Sequence, residues 1–275
     1  MTQRNFVMQT PDLWPELKRL AQLAAEKEPV LSGYLYDSVL RYRDYDGALS
    51  YCIVSALASR IMNDITMGDL VRDVLSRHPE IMTASLFDLE AFTTRDPAIE
   101  NCLMPFLYYK GFKALQAHRV AHALWNEDRG VVARFIQSRV ADVFAVDIHP
   151  AARFGKGVFI DHGTAIVVGE TSVVEDNVSI LQQVTLGGTG KEVGDRHPKI
   201  REGVLISVGA KVLGNIEVGR GSKVAAGSVV LQSVPPHSTV AGVPARLVGA
   251  PKSDAPALDM NQGIDENGSP TSAPR

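Results

Sequence analysis

The chain has 275 residues, 45% apolar and 21% charged, an ordinary mix for a soluble globular protein with room for one large domain or two smaller ones. A net charge of −3 and a pI near 6.2 argue against nucleic acid or an anionic membrane as partner. Two cysteines, Cys52 and Cys102, are too few for a disulfide framework and point to the cytoplasm; the N-terminus lacks the apolar core of a secretion signal, and no stretch approaches the ~20 apolar residues of a membrane span.

Residues 1–145 read as an α-helical domain. Asp12 is placed to cap a helix over residues 13–27, with Leu13, Leu17, Leu20, Leu23 and Ala24 on one face. Helical spacing continues from Tyr34 to Met62 and from Asp64 to Leu75, and a short helix over 83–92 ends near Asp96-Pro97. From Met104, MPFLYYKGFKALQAHRVAHALW reads as one longer helix, broken at Gly130 before a last helix over 131–144. His118 and His122 stand four apart on that helix, but no third metal ligand is in sight, so they read as a surface or interface pair.

From Ile148 the pattern changes. Ile148, Phe154, Ile160, Ile166, Val178 and Val184, then Ile200, Ile206, Val212, Val218, Val224 and Val230, recur at steps of six that only Ser172 breaks. The step from Val184 to Ile200 is one hexad plus a ten-residue insertion. A period of six fits neither helix nor flat strand; it marks a solenoid in which each hexad forms one side and a corner. Thirteen hexads, three per turn, predict about four coils of a left-handed parallel β-helix over 146–250, with glycines at corners where positive φ is common. Residues 251–275 hold too few apolar side chains to pack and are expected to form a disordered tail. The fold class is therefore α+β, a helical domain followed by a β-helix and a flexible tail.

Three histidine clusters carry candidate chemistry: Asp147-Ile148-His149-Pro150, Asp161-His162-Gly163 and Asp195-Arg196-His197-Pro198, the last inside the insertion. A stacking step of 18 puts Asp147 one coil below residue 165, three residues along from His162, so an Asp–His pair is sterically reasonable. A carboxylate on one imidazole nitrogen would make the other a better base. Histidines His149, His162 and His197 are spaced 13 and 35 apart, which fits a β-helical zinc hydratase poorly. Leu186-Gly187-Gly188-Thr189-Gly190 lacks the spacing of a P-loop, but it opens the insertion, where a solenoid commonly carries binding residues.

Together DIHPAARFGKGVFIDHGTAIVVGET, SILQQVTLGGTGKEVGDRHPKIREGV, LGNIEVGRGSKV and AGVPAR resemble bacterial serine O-acetyltransferases, and Arg95-Asp96-Pro97 with LYYKGFKALQAHRVAHALW extends the resemblance into the helical part. The resemblance implies transfer of acetyl from acetyl-CoA to the L-serine hydroxyl, giving O-acetyl-L-serine for cysteine synthesis, without a metal. It implies His162 as general base polarised by Asp147, with Asp96 and Asp161 on the serine ammonium and Arg196 and His197 on its carboxylate. Gly187, Gly188, Thr189, Ala225 and Ala226 would line the pantetheine channel, and Lys223 would meet the nucleotide phosphates. Glycine at 163 stands where alanine is common in the family. The chemistry agrees with the residues: a positioned histidine can deprotonate a serine hydroxyl as it attacks a thioester, and backbone N–H groups can receive the oxyanion. The resemblance also implies trimers with acyl sites between neighbours, joined through the helices into a hexamer, and feedback by L-cysteine at the serine site. Docking of the C-terminus into O-acetylserine sulfhydrylase needs a terminal isoleucine; this chain ends in Arg275, so weak docking or none is expected. The competing reading within enzymes is a sugar or antibiotic O-acetyltransferase on the same coil, which would lack the helical domain and Asp96; outside enzymes it is a structural scaffold.

Overall fold

A computed structural model describes residues 12–190 and 193–264. The helical part comprises α1 (Trp14–Lys27), α2 (Ser32–Leu35), α3 (Tyr45–Leu57), α4 (Asp64–Arg77), α5 (Pro79–Arg95), α6 (Leu103–Tyr108), α7 (Lys110–Asn126) and α8 (Gly130–Phe144). Three expectations change here. Asp12 caps nothing, since Leu13 is the N-cap of α1 and Pro15 in its first turn has no N–H to be capped. The helical spacing over 34–62 is interrupted: the chain breaks near Arg43, and Asp44 accepts the Gly47 N–H to start α3. The long helix expected from Met104 is two, because Tyr109 is extended (φ −85°, ψ 114°) and turns the chain between α6 and α7.

The solenoid winds about five coils rather than four. They are β1 (Val146–Ile148), β2 (Arg153–Phe154), β3 (Phe159–Ile160); β4 (Ile166–Val168), β5 (Val173–Val174), β6 (Ser179–Ile180); β7 (Thr185–Gly187), β8 (Lys199–Ile200), β9 (Leu205–Ile206); β10 (Lys211–Leu213), β11 (Glu217–Val218), β12 (Lys223–Val224); and β13 (Val229–Val230), a bridge at Val234, and β14 (Thr239–Gly242). The first four coils each give one strand to each of three parallel sheets, the fifth meets the second sheet only through the Val234 bridge, and β15 (Ala245–Gly249) closes the third sheet antiparallel to β14.

Three aliphatic ladders fill the axis. Ile148, Val168, Leu186, Val212 and Val230 stack in the first sheet. Phe154, Val174, Ile200, Val218 and Val234 stack in the second, and Ile160, Ile180, Ile206, Val224 and Val240 in the third. The ladders correct the phase read from the sequence. Between coils one and two the register advances by 20, from Val146 to Ile166, whereas it advances by 18 from Val167 to Thr185. Asp147 therefore lies beside Val167, not residue 165. Two extra residues enter at the corner 161–166, and the rhythm shifts by two instead of breaking at Ser172. The next step, Thr185 to Lys211, is 26, so the insertion is eight residues rather than ten.

Helices and solenoid are tied by a buried ion pair. Asp88 accepts from Arg119 at 2.7 Å and from Gln116 at 3.0 Å, and takes the Val158 N–H at 2.9 Å; Arg119 also donates to the Gly155 carbonyl at 2.6 Å. Burial pushes the Asp88 carboxyl up, and Arg119 opposes that. His118 and His122 serve the same junction, directed at the Ala152 and Pro150 carbonyls at 3.2 and 2.7 Å. The tail expectation narrows as well. Residues 251–264 are ordered, with α9 (Pro256–Asp259) lodged against α5 and β9, and only 265–275 of the expected tail lie outside the described residues. Pro256 and Ala257 are buried, enough apolar contact to anchor a short polar segment on an existing surface.

Candidate active site

Three candidate residues meet where the helices touch the solenoid. Asp96 ends α5, and Asp161 and His162 stand in the enlarged corner between β3 and β4. With Phe92, Tyr109 and Lys110 they line a cleft of about 540 Å³. Gly111 makes the contact possible: a Cβ there would lie 2.0 Å from the Ile160 carbonyl oxygen, so only glycine lets α7 start against β3. Lys110 reaches across and donates to the Thr164 hydroxyl.

The corner itself is strained. His162, Gly163 and Ala165 have φ of 54°, 72° and 60°, a region that non-glycine residues seldom enter. It is held by bonds from Gly163 N–H to the Asp161 carbonyl (2.6 Å) and from Ala165 N–H to the Ala145 carbonyl (2.7 Å). The result lifts His162 out of the solenoid surface; its side chain is 73% exposed, and Nε2 stands 3.8 Å from Asp161 Oδ1. Burial raises the Asp161 carboxyl above its ordinary range; His162 opposes this and Asp96 adds to it. Asp96 Oδ1 accepts the Ala98 N–H at 2.8 Å, which turns the chain after α5 while the residue lines the cleft. Asp147, expected to polarise His162, instead accepts from Gln137 at 2.7 Å in this chain.

Arg196 and His197 are not in this cleft. They sit one edge away, where the first sheet turns into the second, together with Gly187, Gly188 and Thr189. Thr171 organises them: its hydroxyl oxygen accepts the backbone N–H groups of Arg196 and His197, each at 3.0 Å. The Thr171 N–H and hydroxyl both point to His197 Nδ1, at 3.2 and 3.0 Å, so Nδ1 is an acceptor and the ring proton sits on Nε2. Burial, with Arg196 beside it, pushes the His197 pKa down. Arg196 donates to Glu170 at 2.8 Å, and that bond holds the Glu170 carboxyl below its usual range. An Arg engaged with a carboxylate in the isolated chain has the geometry to engage another.

The remaining candidates divide between the same two edges. Ala225 and Ala226 lie at the corner between β12 and β13, on the edge that also carries His162, three coils along. Lys223 is only 3% exposed and donates to the Asn261 and Gly263 carbonyls, so the segment after α9 covers it. Sequence reasoning missed Lys110, Gly111, Glu170 and Thr171. Gly111 had a signal, a glycine inside a helical pattern. Glu170 and Thr171 had none, because their partner Arg196 lies 26 and 25 residues along the chain, inside the insertion. Among the described residues no three His, Cys, Asp or Glu side chains converge as metal ligands would, and no helix is long and apolar enough to cross a membrane.

Comparison with known proteins bears on both parts of the chain. A family profile described as serine acetyltransferase, N-terminal, matches residues 13–117, and one described as bacterial transferase hexapeptide (six repeats) matches residues 197–232. The serine acetyltransferase of Salmonella typhimurium is 54% identical over 250 residues, covering 91% of this chain and 92% of that one. A serine acetyltransferase solved in complex with cysteine superposes with a TM-score of 0.91 at 48% identity, covering 94% of this chain and all of that one. The Brucella abortus serine acetyltransferase in complex with coenzyme A gives 0.86 at 49% identity, covering 87% and 96%. The soybean serine acetyltransferase complexed with serine gives 0.84 at 51% identity, covering 86% and 97%.

Proposed function

This chain belongs to the serine acetyltransferase family, and we propose that it transfers the acetyl group of acetyl-CoA to the hydroxyl of L-serine by direct attack, with His162 as the base. The observation that carries the site assignment is the meeting of Asp96, Asp161 and His162 in one cleft between helices and solenoid. In this reading the serine ammonium sits between the two carboxylates, which brings its hydroxyl to the exposed imidazole. His162 takes the hydroxyl proton as the oxygen attacks the thioester carbonyl, and backbone N–H groups along the edge receive the oxyanion. Collapse of the tetrahedral intermediate expels the CoA thiolate, which the imidazolium can protonate, so no acyl-enzyme is required. Asp147 would join as orienting carboxylate once it turns from Gln137.

The serine carboxylate falls to Arg196 and His197, which offer a guanidinium fork and an Nε2–H. Because they occupy a different edge of the same prism, we propose that each site is built by two copies. The edge bearing Arg196 and His197 on one copy faces the edge bearing His162 on the next, and three copies close the ring. The pantetheine arm would run in that seam past Gly187, Gly188, Thr189, Ala225 and Ala226. Lys223 would reach the nucleotide phosphates after residues 261–263 move aside. Pairing of two trimers through the helical part, inhibition by L-cysteine in the serine cleft, and residence in the cytoplasm belong to the same proposal. Two buried free thiols, pushed up to about 11 by burial, accord with a reducing compartment. The competing sugar or antibiotic acceptors are disfavoured by a helical part that matches the serine acetyltransferase family itself. Thiol release from acetyl-CoA, measured with L-serine, a galactoside and chloramphenicol, tests the reading: serine alone should support turnover, and equal rates with the other acceptors would overturn it.

A further inference from the structure

The cleft depends on a residue that does not line it. Arg95, the last residue of α5, is 6% exposed and reaches out of the helical part into coil two. Its Nη1 donates to the Val178 carbonyl (3.3 Å) and the Ser179 hydroxyl (3.0 Å), and Nη2 donates to Asn177 Oδ1 (3.3 Å). Ser179 in turn donates to the Ala257 carbonyl at 2.8 Å, so its hydroxyl is fixed from both sides. The next residue is Asp96, whose N–H closes the helix on Phe92 by a long 3.3 Å bond. The last carbonyls of a helix lack intrahelical partners, so contacts outside the helix decide where its end lies. The guanidinium is the polar anchor between this helix end and the solenoid.

Building on the assignment of Asp96 to the serine ammonium, we infer that Arg95 is a positioning residue for substrate. It touches neither serine nor acetyl-CoA; it pins the end of α5 to Asn177, Val178 and Ser179 so that Asp96 faces Asp161 across the cleft. A carboxylate displaced by an ångström gives up its short charge-assisted hydrogen bond to a bound ammonium, whereas the thioester partner, bound along the solenoid edges, does not depend on it.

Steady-state kinetics of the full-length enzyme with both substrates varied tests this. Arg95→Met should raise KM for serine by roughly tenfold to a hundredfold and leave KM for acetyl-CoA unchanged. Arg95→Lys, which keeps a cation but not the fork, should fall between the variant and the parent. In an Asp96→Asn background Arg95→Met should add little, since the two act as one unit. Ser179→Ala, which removes one anchor point only, should raise KM for serine by a smaller factor, and it serves if Arg95→Met does not fold. Unchanged KM for serine in folded Arg95→Met, or in both Arg95→Lys and Ser179→Ala, overturns the inference. So does an equal loss for both substrates, which would make Arg95 a general structural residue. If Asp96→Asn itself leaves KM for serine unchanged, the assignment of the cleft falls and the inference with it; if Asp96→Asn raises it and the Arg95 variants do not, only the inference falls.

Discussion

His162 combines an exposed side chain with a left-handed backbone, at a corner that holds two residues more than its neighbours. Other corners, at Asn177, Gln183 and Gly203 among them, also turn through a positive φ, so the added length rather than the left-handed backbone sets this corner apart. His162→Ala should lower turnover by about 10²–10⁴, the worth of a positioned base, while size-exclusion elution stays that of the parent. Near-parent turnover in a correctly assembled variant would remove His162 from the mechanism. Asp161 supplies a pH test. Its carboxyl is raised by burial and further by Asp96, so it takes up a proton earlier than an ordinary aspartate as pH falls. An ammonium needs it ionised, so binding of a non-reacting serine analogue, which does not require the His162 base, should weaken on the acid side as Asp161 takes up its proton. Asp96→Asn removes a like charge and should move this acid limb to lower pH. A limb that moves upward would contradict the arrangement.

At the scale of elements, the first turn of α7 and the corner after β3 form one unit. Gly111→Ala would put a methyl group 2.0 Å from the Ile160 carbonyl oxygen, and backbone cannot yield as a flexible side chain can. We expect a loss of about 1–3 kcal/mol in denaturant unfolding, together with a higher KM for serine as α7 lifts from the cleft. A gain in stability, the usual result of Gly→Ala in an open helix, would show that the contact is looser than described. The same element shows how far sequence reaches. Hexad periodicity exposed the solenoid, yet its phase drifted, because each hexad buries two positions. Val178 and Val184 are as buried as Ile180 and Leu186, two residues further on, and either set satisfies the rhythm. Only inter-coil pairing distinguishes them, and that pairing located the two-residue enlargement at the candidate base.

For the whole molecule, the separation of the two residue sets predicts complementation. Chains carrying His162→Ala and chains carrying Arg196→Ala should each be nearly inactive, yet co-expressed and co-assembled they should regain activity in about a quarter of sites if each site draws one residue from each copy. No recovery in verified mixed oligomers would mean that each chain builds its own site. The junction between helices and solenoid predicts acid lability. His118 is fully enclosed, and burial, with His122 next, drives its pKa well below 6.5; burial also lowers that of His122. Unfolded, these imidazoles take up protons near pH 6.5; folded, they do so only at lower pH. The unfolded chain thus binds more protons in between, and their contribution to stability is complete above that pH and lost below it. The limiting slope is about 1.4 kcal/mol per pH unit for each histidine. Thermal unfolding across pH 5–7.5 should show this decline and a flatter one in His118→Gln. An unchanged slope would assign the acid sensitivity to other groups.

Much of this protein is determined by its sequence alone. An apolar residue every six positions can bury itself only in a coil of three-sided turns, and the histidine, aspartate and arginine motifs mark the chemistry, because residue type sets what a side chain can donate, accept or protonate. Tertiary structure decided which of those groups share a site. Asp96 comes to Asp161 because Arg95 and Gly111 let the helices lie against coils one and two. Arg196 and His197 go to another edge because Thr171, one coil earlier, captures their backbone. Such placements depend on contacts between residues far apart in the chain, whose energies exist only once the coils have stacked, and no local pattern records them.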